Sequence, residues 1–241
     1  GLAYLDTHYY GGVKKYQWLS IPLALHGVIR KEEWRKVEVC VGEKETDPVL
    51  VINDLLPHLG ARQREKLAKD FIDGEQMDLL IGNRPEDKEE NAVTRRIKNL
   101  LKERYDVEEE DFLSAELEIV PAGKARDCGL DNSMILAYGQ DDRVCAFTSL
   151  FAILRAEEVA RTSCCLLVDK EEIGSTGASG MTSRFSKCSC RICLLNEGVE
   201  YNDIVLRRTL ANSKMLSSDV SAGLIQCTRM YMKREMQHSW H

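Results

Sequence analysis

Cys164-Cys165-Leu166-Leu167-Val168-Asp169-Lys170-Glu171-Glu172 decides how the chain is read. Five apolar residues end abruptly in acid, the form of a buried strand that runs out into a ligand-facing loop. A second short strand, Met215 to Ser217, is followed in the same way by Asp219, and Asp141-Asp142-Arg143 stands immediately before a helical stretch. Open α/β sheets bind ligands in the crevice beyond the carboxyl ends of their strands, so the three acidic clusters are expected to converge.

Working outward from that stretch, helices are expected around Val144 to Glu157 and Asp203 to Asn212, with a Gly/Ser turn at 174–180 between the strands. Alternating helix and strand units predict an α/β domain, a mostly parallel sheet covered by helices. Upstream of Pro121 the texture differs. Tyr16 to Val41 and Asp47 to Leu59 read as strands between charged turns, Phe112 to Val120 alternates as a half-buried strand, and Ala61 to Asp73 begins as a helix. A surface helix near 87–105 is expected to start at Asp87 as its cap, with Val93, Ile97, Leu100, Leu101 and Tyr105 at helical spacing. The chain therefore divides near Pro121 into a strand-rich 1–120 and an α/β 121–241.

The totals agree with a globular protein. Of 241 residues, 44% are hydrophobic and 30% charged, with no apolar run long enough for a membrane span. A net charge of -6 with interspersed signs lacks the clustered basic face that nucleic acid requires. Neither a membrane nor a nucleic acid is expected as a partner, and a cytoplasmic location is. Gly1 is followed by no leader, so the start reads as cut. Nine cysteines are too few for a disulfide scaffold, and Cys40, Cys128, Cys145, Cys164 and Cys165, set among apolar neighbours, are expected to be buried thiols.

Converging carboxylates need a cation, because like charges at close range raise one another's pKa. Two divalent ions sharing a carboxylate would meet that need and activate water. In the adjacent acidic pair, Glu172 can hold a metal while Glu171 exchanges protons with the water. Asp6, Asp131 and Asp203 are left to caps and solvated turns. Cys188-Ser189-Cys190-Arg191-Ile192-Cys193 offers three thiols but no second pair nearby to complete a structural zinc site, so a local frame error or neutral substitution competes with a metal knuckle.

Four stretches together resemble the M18 zinc aminopeptidases (aspartyl aminopeptidase and aminopeptidase I-like). They are Tyr4-Leu5-Asp6-Thr7-His8-Tyr9-Tyr10-Gly11-Gly12 through Gly27, Val120-Pro121-Ala122-Gly123-Lys124-Ala125-Arg126-Asp127 through Gly139-Gln140-Asp141-Asp142-Arg143, Asp169 through Ser175, and Ser217-Ser218-Asp219-Val220-Ser221-Ala222-Gly223. The resemblance implies two zinc ions bridged by Asp141, with Glu172 ligating one, Asp219 the other and Glu171 as general base. It implies hydrolysis of the N-terminal residue of peptides, a strand-rich dimerisation domain inserted before about Pro121, and self-association of dimers into dodecamers.

Two of the family's ligands, a His in a His-x-Asp motif and a terminal His, have no counterpart among the five histidines here; His8, His26 and His58 are expected to be structural or at an interface. A site short of both imidazoles is expected to bind zinc poorly. That leaves a non-catalytic oligomerisation piece as the alternative. After Gly223 the family texture stops. Restoring one base after the Leu224 codon lets freely chosen codons read Gly-Leu-Asn-Pro-Met-Tyr-Gln-Asn-Val-Tyr, which resembles the family, so Ile225 to His241 is expected to be out of frame.

Overall fold

A computed structural model of the chain describes residues 1–9 and 11–221; the expected out-of-frame tail from Ile225 lies outside them. Two compact units meet between Tyr138 and Gly139, later than the Pro121 boundary expected.

In the first unit, strand β1 is Ala3–Leu5, β2 Leu23–Arg30, β3 Lys36–Val41, β4 Val51–Ile52, β5 Leu79–Gly82 and β6 Ala115–Pro121. They form two three-stranded sheets, β3-β2-β6 and β1-β5-β4. β2 is the axis of the larger one. It pairs antiparallel with β3 from Leu25 opposite Val41 to Arg30 opposite Lys36, and with β6 from Leu23 opposite Pro121 to Ile29 opposite Ala115. Side chains alternate across a strand, so Leu23, Leu25 and Ile29 share one face, and that face is buried.

Leu23 joins Leu19, Ile52, Ile72, Met77 and Leu79, whereas Leu25 and Ile29 join Val39 and Val107. Leu5, Leu50 and Ile119 pack against both clusters and tie them into one core. Gly27 lies at the centre of β2, opposite both Val39 and Leu117. A Cβ there would stand 2.0 Å from the Glu116 carbonyl oxygen, so only glycine lets β6 come this close.

Helix α1 (Ala61–Arg64) is a single turn followed by a 3-10 turn at Ala68–Asp70, shorter than the helix expected from Ala61 to Asp73. Helix α2 (Ala92–Tyr105) is present, but Asp87 does not cap it. Asp87 instead accepts from the Glu89 amide and from the Arg95 guanidinium at 2.6 and 2.7 Å, and Asn91, in the left-handed region, opens the helix. The other end closes through Asp106, also left-handed, whose amide reaches Leu101 and Lys102 carbonyls while the following Val107 enters the core. This is the left-handed C-terminal stop that usually takes glycine. Lys31, Arg35 and Lys102 surround the Asp106 carboxylate and hold its pKa well below the ordinary aspartate range. At the expected strand from Phe112, a 3-10 turn occupies Glu110–Ser114 and β6 starts only at Ala115.

A short hairpin, β7 (Arg126–Cys128) with β8 (Met134–Leu136), completes this unit and is not among the elements expected from the sequence. Its turn is tied by Asp131, which accepts from the Ser133 amide and hydroxyl in an exposed turn and caps no helix.

The second unit contains helices α3 (Gln140–Leu154), α4 (Phe185–Asn196) and α5 (Asp203–Ala211). α3 and α5 match expectation; α4, across the cysteine stretch, does not. Among the described residues of this unit there is no strand: Cys164 to Val168 and Met215 to Ser217 run without ladder partners, and the mostly parallel helix-covered sheet is absent. All named ladders are antiparallel, leaving a mixed α/β protein. The missing sheet has a visible counterpart in burial. Leu206 is the one buried apolar side chain described here, while Leu166, Leu167, Val168, Leu216 and many others are exposed. A run as apolar as Cys164 to Val168 becomes a strand when neighbours satisfy its backbone and cover its faces. Here they do not.

Candidate metal centre

α3 begins with an irregular turn. Gly139 enters in the left-handed region at φ 78°, and Asp141 and Asp142 have non-helical backbone angles before regular helix sets in at Arg143. Asp219 approaches from the far end of the unit, its own carboxylate accepting from the Val220 amide at 2.7 Å. One carboxylate oxygen each of Asp141, Asp142 and Asp219 lie within 4.8 Å of one another, and all three residues are exposed. Among the described residues this is the only such group of three or more His, Cys, Asp or Glu.

Cys145, one turn into α3, reports the same convergence. Burial pushes its thiol up, and the Asp142 carboxylate and the charge of Asp219 push the same way, whereas Ser218 opposes them.

Three carboxylate oxygens gathered this closely fit a divalent cation. Zn–O bonds of about 2.0–2.2 Å hold ligand oxygens somewhat closer than the spread seen here, and exposed aspartates can rotate inward. Oxygen donors alone favour harder cations, with zinc held less tightly than in a site completed by imidazole.

Glu171 and Glu172 are placed differently. They occupy a 3-10 turn, Glu171–Ile173, between two left-handed residues, Lys170 and Gly174. The loop around them is closed by its own backbone: Asp169 amide to Ser179 carbonyl at 3.1 Å, Ser175 amide to Lys170 carbonyl at 2.8 Å. Thr182 adds its hydroxyl to the Ser175 carbonyl at 2.6 Å. Gly180 permits the closure, since a Cβ there would sit 2.1 Å from the Ser175 oxygen. Gly180 thus lets the loop approach itself. Neither glutamate belongs to the aspartate group.

The structure therefore brings Asp141 and Asp219 together, adds Asp142, to which the sequence assigns no role, and leaves Glu171 and Glu172 on a separate turn. Of the described histidines, His26 pairs with Glu43 at 2.8 Å and His8 stacks on Tyr9, and none of those described joins the cluster. The thiols expected to be buried are not: Cys40 and Cys164 are exposed, and Cys128, Cys145 and Cys165 half-buried. No helix of the described residues is long and apolar enough to cross a membrane.

Residues 1–226 match the family model described as aminopeptidase I zinc metalloprotease (M18). The probable M18 family aminopeptidase 1 of Clostridium acetobutylicum is 52% identical over 224 residues, covering 92% of this chain and 48% of the relative. The crystal structure of aminopeptidase I from the same organism superposes with a TM-score of 0.82 at 49% identity, covering 94% of this chain and 49% of that one. The M18 aminopeptidase of Thermotoga maritima follows at 0.80 and 43%, covering 88% and 46%. The chain spans about half the length of these relatives.

Proposed function

The chain belongs to the aminopeptidase I zinc metalloprotease (M18) family, and from that premise we propose that it carries part of a two-zinc centre that hydrolyses the N-terminal residue of peptides. The observation that supports this reading is the convergence of Asp141 and Asp219, from opposite ends of the second unit, on one cluster of carboxylate oxygens.

Bound zinc would polarise the scissile carbonyl and lower the pKa of the attacking water. Asp141 and Asp219 would hold the zinc, Asp141 as the carboxylate shared by the two ions and Asp219 as a ligand of one. Glu172 would hold the other once the 171–173 turn joins the aspartates. Glu171 takes a proton from the attacking water on a carboxylate oxygen and returns it to the leaving amine nitrogen. Asp142, beside Asp141, adds negative charge to the centre. The same reading extends to self-association through the strand-rich first part, to dimers and a dodecamer, and to a cytoplasmic setting.

A second reading, a non-catalytic oligomerisation piece, draws on a specific observation: the glutamate turn lies outside the aspartate group. Assays on chromogenic Asp, Glu and Leu substrates, with and without added zinc, separate the two. Metal-dependent turnover that Glu171→Gln abolishes without loss of bound metal supports the enzyme; turnover undiminished by that change removes Glu171 from its role. Absence of turnover in a chain that still self-associates, as read by light scattering, supports the oligomerisation piece.

A further inference from the structure

Helix α4 carries Cys188, Cys190 and Cys193, a set of thiols that lacks a partner nearby in sequence. The fold supplies one. Cys164, 29 residues before Cys193, brings its Sγ to 3.8 Å from the Cys193 Sγ. Cys190, one helical turn before Cys193, acts on the same thiol: burial pushes the Cys164 pKa up, and Cys193 and then Cys190 add to the effect. The segment is seated against α4 and α3, with Leu150, Ile153, Cys164, Leu167, Phe185 and Ser189 lining one hollow. Cys164 is exposed and Cys193 half-buried, so a small oxidant can reach them.

Two outcomes of such proximity compete, a shared metal and a bridge. A structural zinc site needs four ligands, and the sulfurs of Cys164, Cys190 and Cys193 do not all lie within 4.8 Å of one another. A pair of thiols is what remains. All eight described cysteines are free, so the pair stands in its reduced form. A disulfide requires an S–S distance of about 2.05 Å, leaving less than about 2 Å for side-chain rotation and a slight approach of the segment to close.

We propose that Cys164 and Cys193 are a dithiol that hydroperoxides oxidise to a disulfide, a modification site distinct in chemistry from the carboxylate cluster and needing no metal. In the first step a thiolate sulfur attacks the peroxide, an S–O bond forms, the O–O bond breaks and the alcohol leaves. In the second the other thiol's sulfur attacks the sulfenic acid, the S–S bond forms, the S–O bond breaks and water leaves. Two thiols and one hydroperoxide give one disulfide, one alcohol and one water; sulfur is oxidised and the peroxide reduced. The bridge encloses Asp169 to Gly180 in a covalent loop, so oxidation restrains the turn that carries Glu171 and Glu172.

The test treats the full 241-residue chain with tert-butyl hydroperoxide, alkylates the remaining thiols, and maps cross-linked peptides by mass spectrometry without reduction. A Cys164–Cys193 peptide as the dominant link, two hydrogens lighter than its parts and released by dithiothreitol, is expected. Cys188→Ser should leave it in place, and Cys193→Ser should leave Cys164 unbridged. A dominant Cys190–Cys193 link, links scattered according to exposure, or oxidation of Cys193 to sulfinic acid with no bridge would each overturn the proposal. Because the wild-type map alone distinguishes these results, a variant that fails to fold does not blunt the test.

Discussion

Replacing Gly27 by alanine should be among the most damaging single-methyl changes in the first unit. Its backbone lies at φ +143°, and the new Cβ would meet three backbone atoms of β6: the Glu116 oxygen at 2.0 Å, the Leu117 Cα at 2.9 Å and the Glu116 carbon at 3.0 Å. No rotamer relieves contacts to backbone, so β6 must move by more than an ångström against β2. The sparsely populated dihedral costs about 1–3 kcal/mol and the overpacking about 1–3 kcal/mol more. The sum, about 2–6 kcal/mol, is a large part of a typical domain's stability.

Two other glycines separate these contributions. Gly123 has φ +130° with nothing within 4 Å of where a Cβ would stand, so Gly123→Ala should show the dihedral cost alone. Gly12 meets nothing within 4 Å and carries no such dihedral; Gly12→Ala should be neutral or stabilising by about 0.4–1 kcal/mol. Urea unfolding followed by circular dichroism measures all three. A Gly27→Ala cost no greater than that of Gly123→Ala would refute the close approach of β6 as the cause.

Leu79→Ala removes a fully buried side chain from the cluster of Leu19, Leu23, Ile52, Ile72 and Met77, and should cost about 2–5 kcal/mol in the same urea titration. Around Asp106 the expected pH dependence has a definite sign. Its folded pKa is depressed by Lys102, Arg35 and Lys31, so this contribution is present above the unfolded aspartate value and is lost as pH falls below it toward the lower folded one. Asp106→Asn should flatten that acid limb, and high salt should weaken it because the groups are exposed. Asn202 caps α5 by accepting from the Val205 amide at 2.9 Å, so Asn202→Ala should cost about 1 kcal/mol, seen as faster amide exchange across 203–211.

What the sequence makes legible follows the range of the forces involved. β2, β3, β6 and the body of α2 are readable because their periodicity and their partners both lie within the first 121 residues, where a core closes around Leu23, Leu25 and Ile29. Helix starts are less so: Asp87 has the chemistry of a cap, yet Arg95 captures its carboxylate. The 164–168 and 215–217 stretches have strand composition, but composition does not supply the neighbouring strands that make one. In the candidate centre, Asp141 and Asp219 stand out in their motifs, whereas Asp142 has no assigned role in the sequence and enters only through the clustering of carboxylate oxygens. The Cys164–Cys193 pair is not, because nothing in the spacing of residues 29 apart announces that an extended segment will lie against a helix.

Equilibrium zinc titration of the chain, read by calorimetry for wild type, Asp141→Asn, Asp219→Asn and Glu171→Gln, tests most directly whether the carboxylate cluster is a metal centre. The expected result is saturable binding, weaker than that of a site completed by imidazole, that either aspartate change abolishes and Glu171→Gln leaves intact. Zinc binding undiminished in both aspartate variants would contradict it.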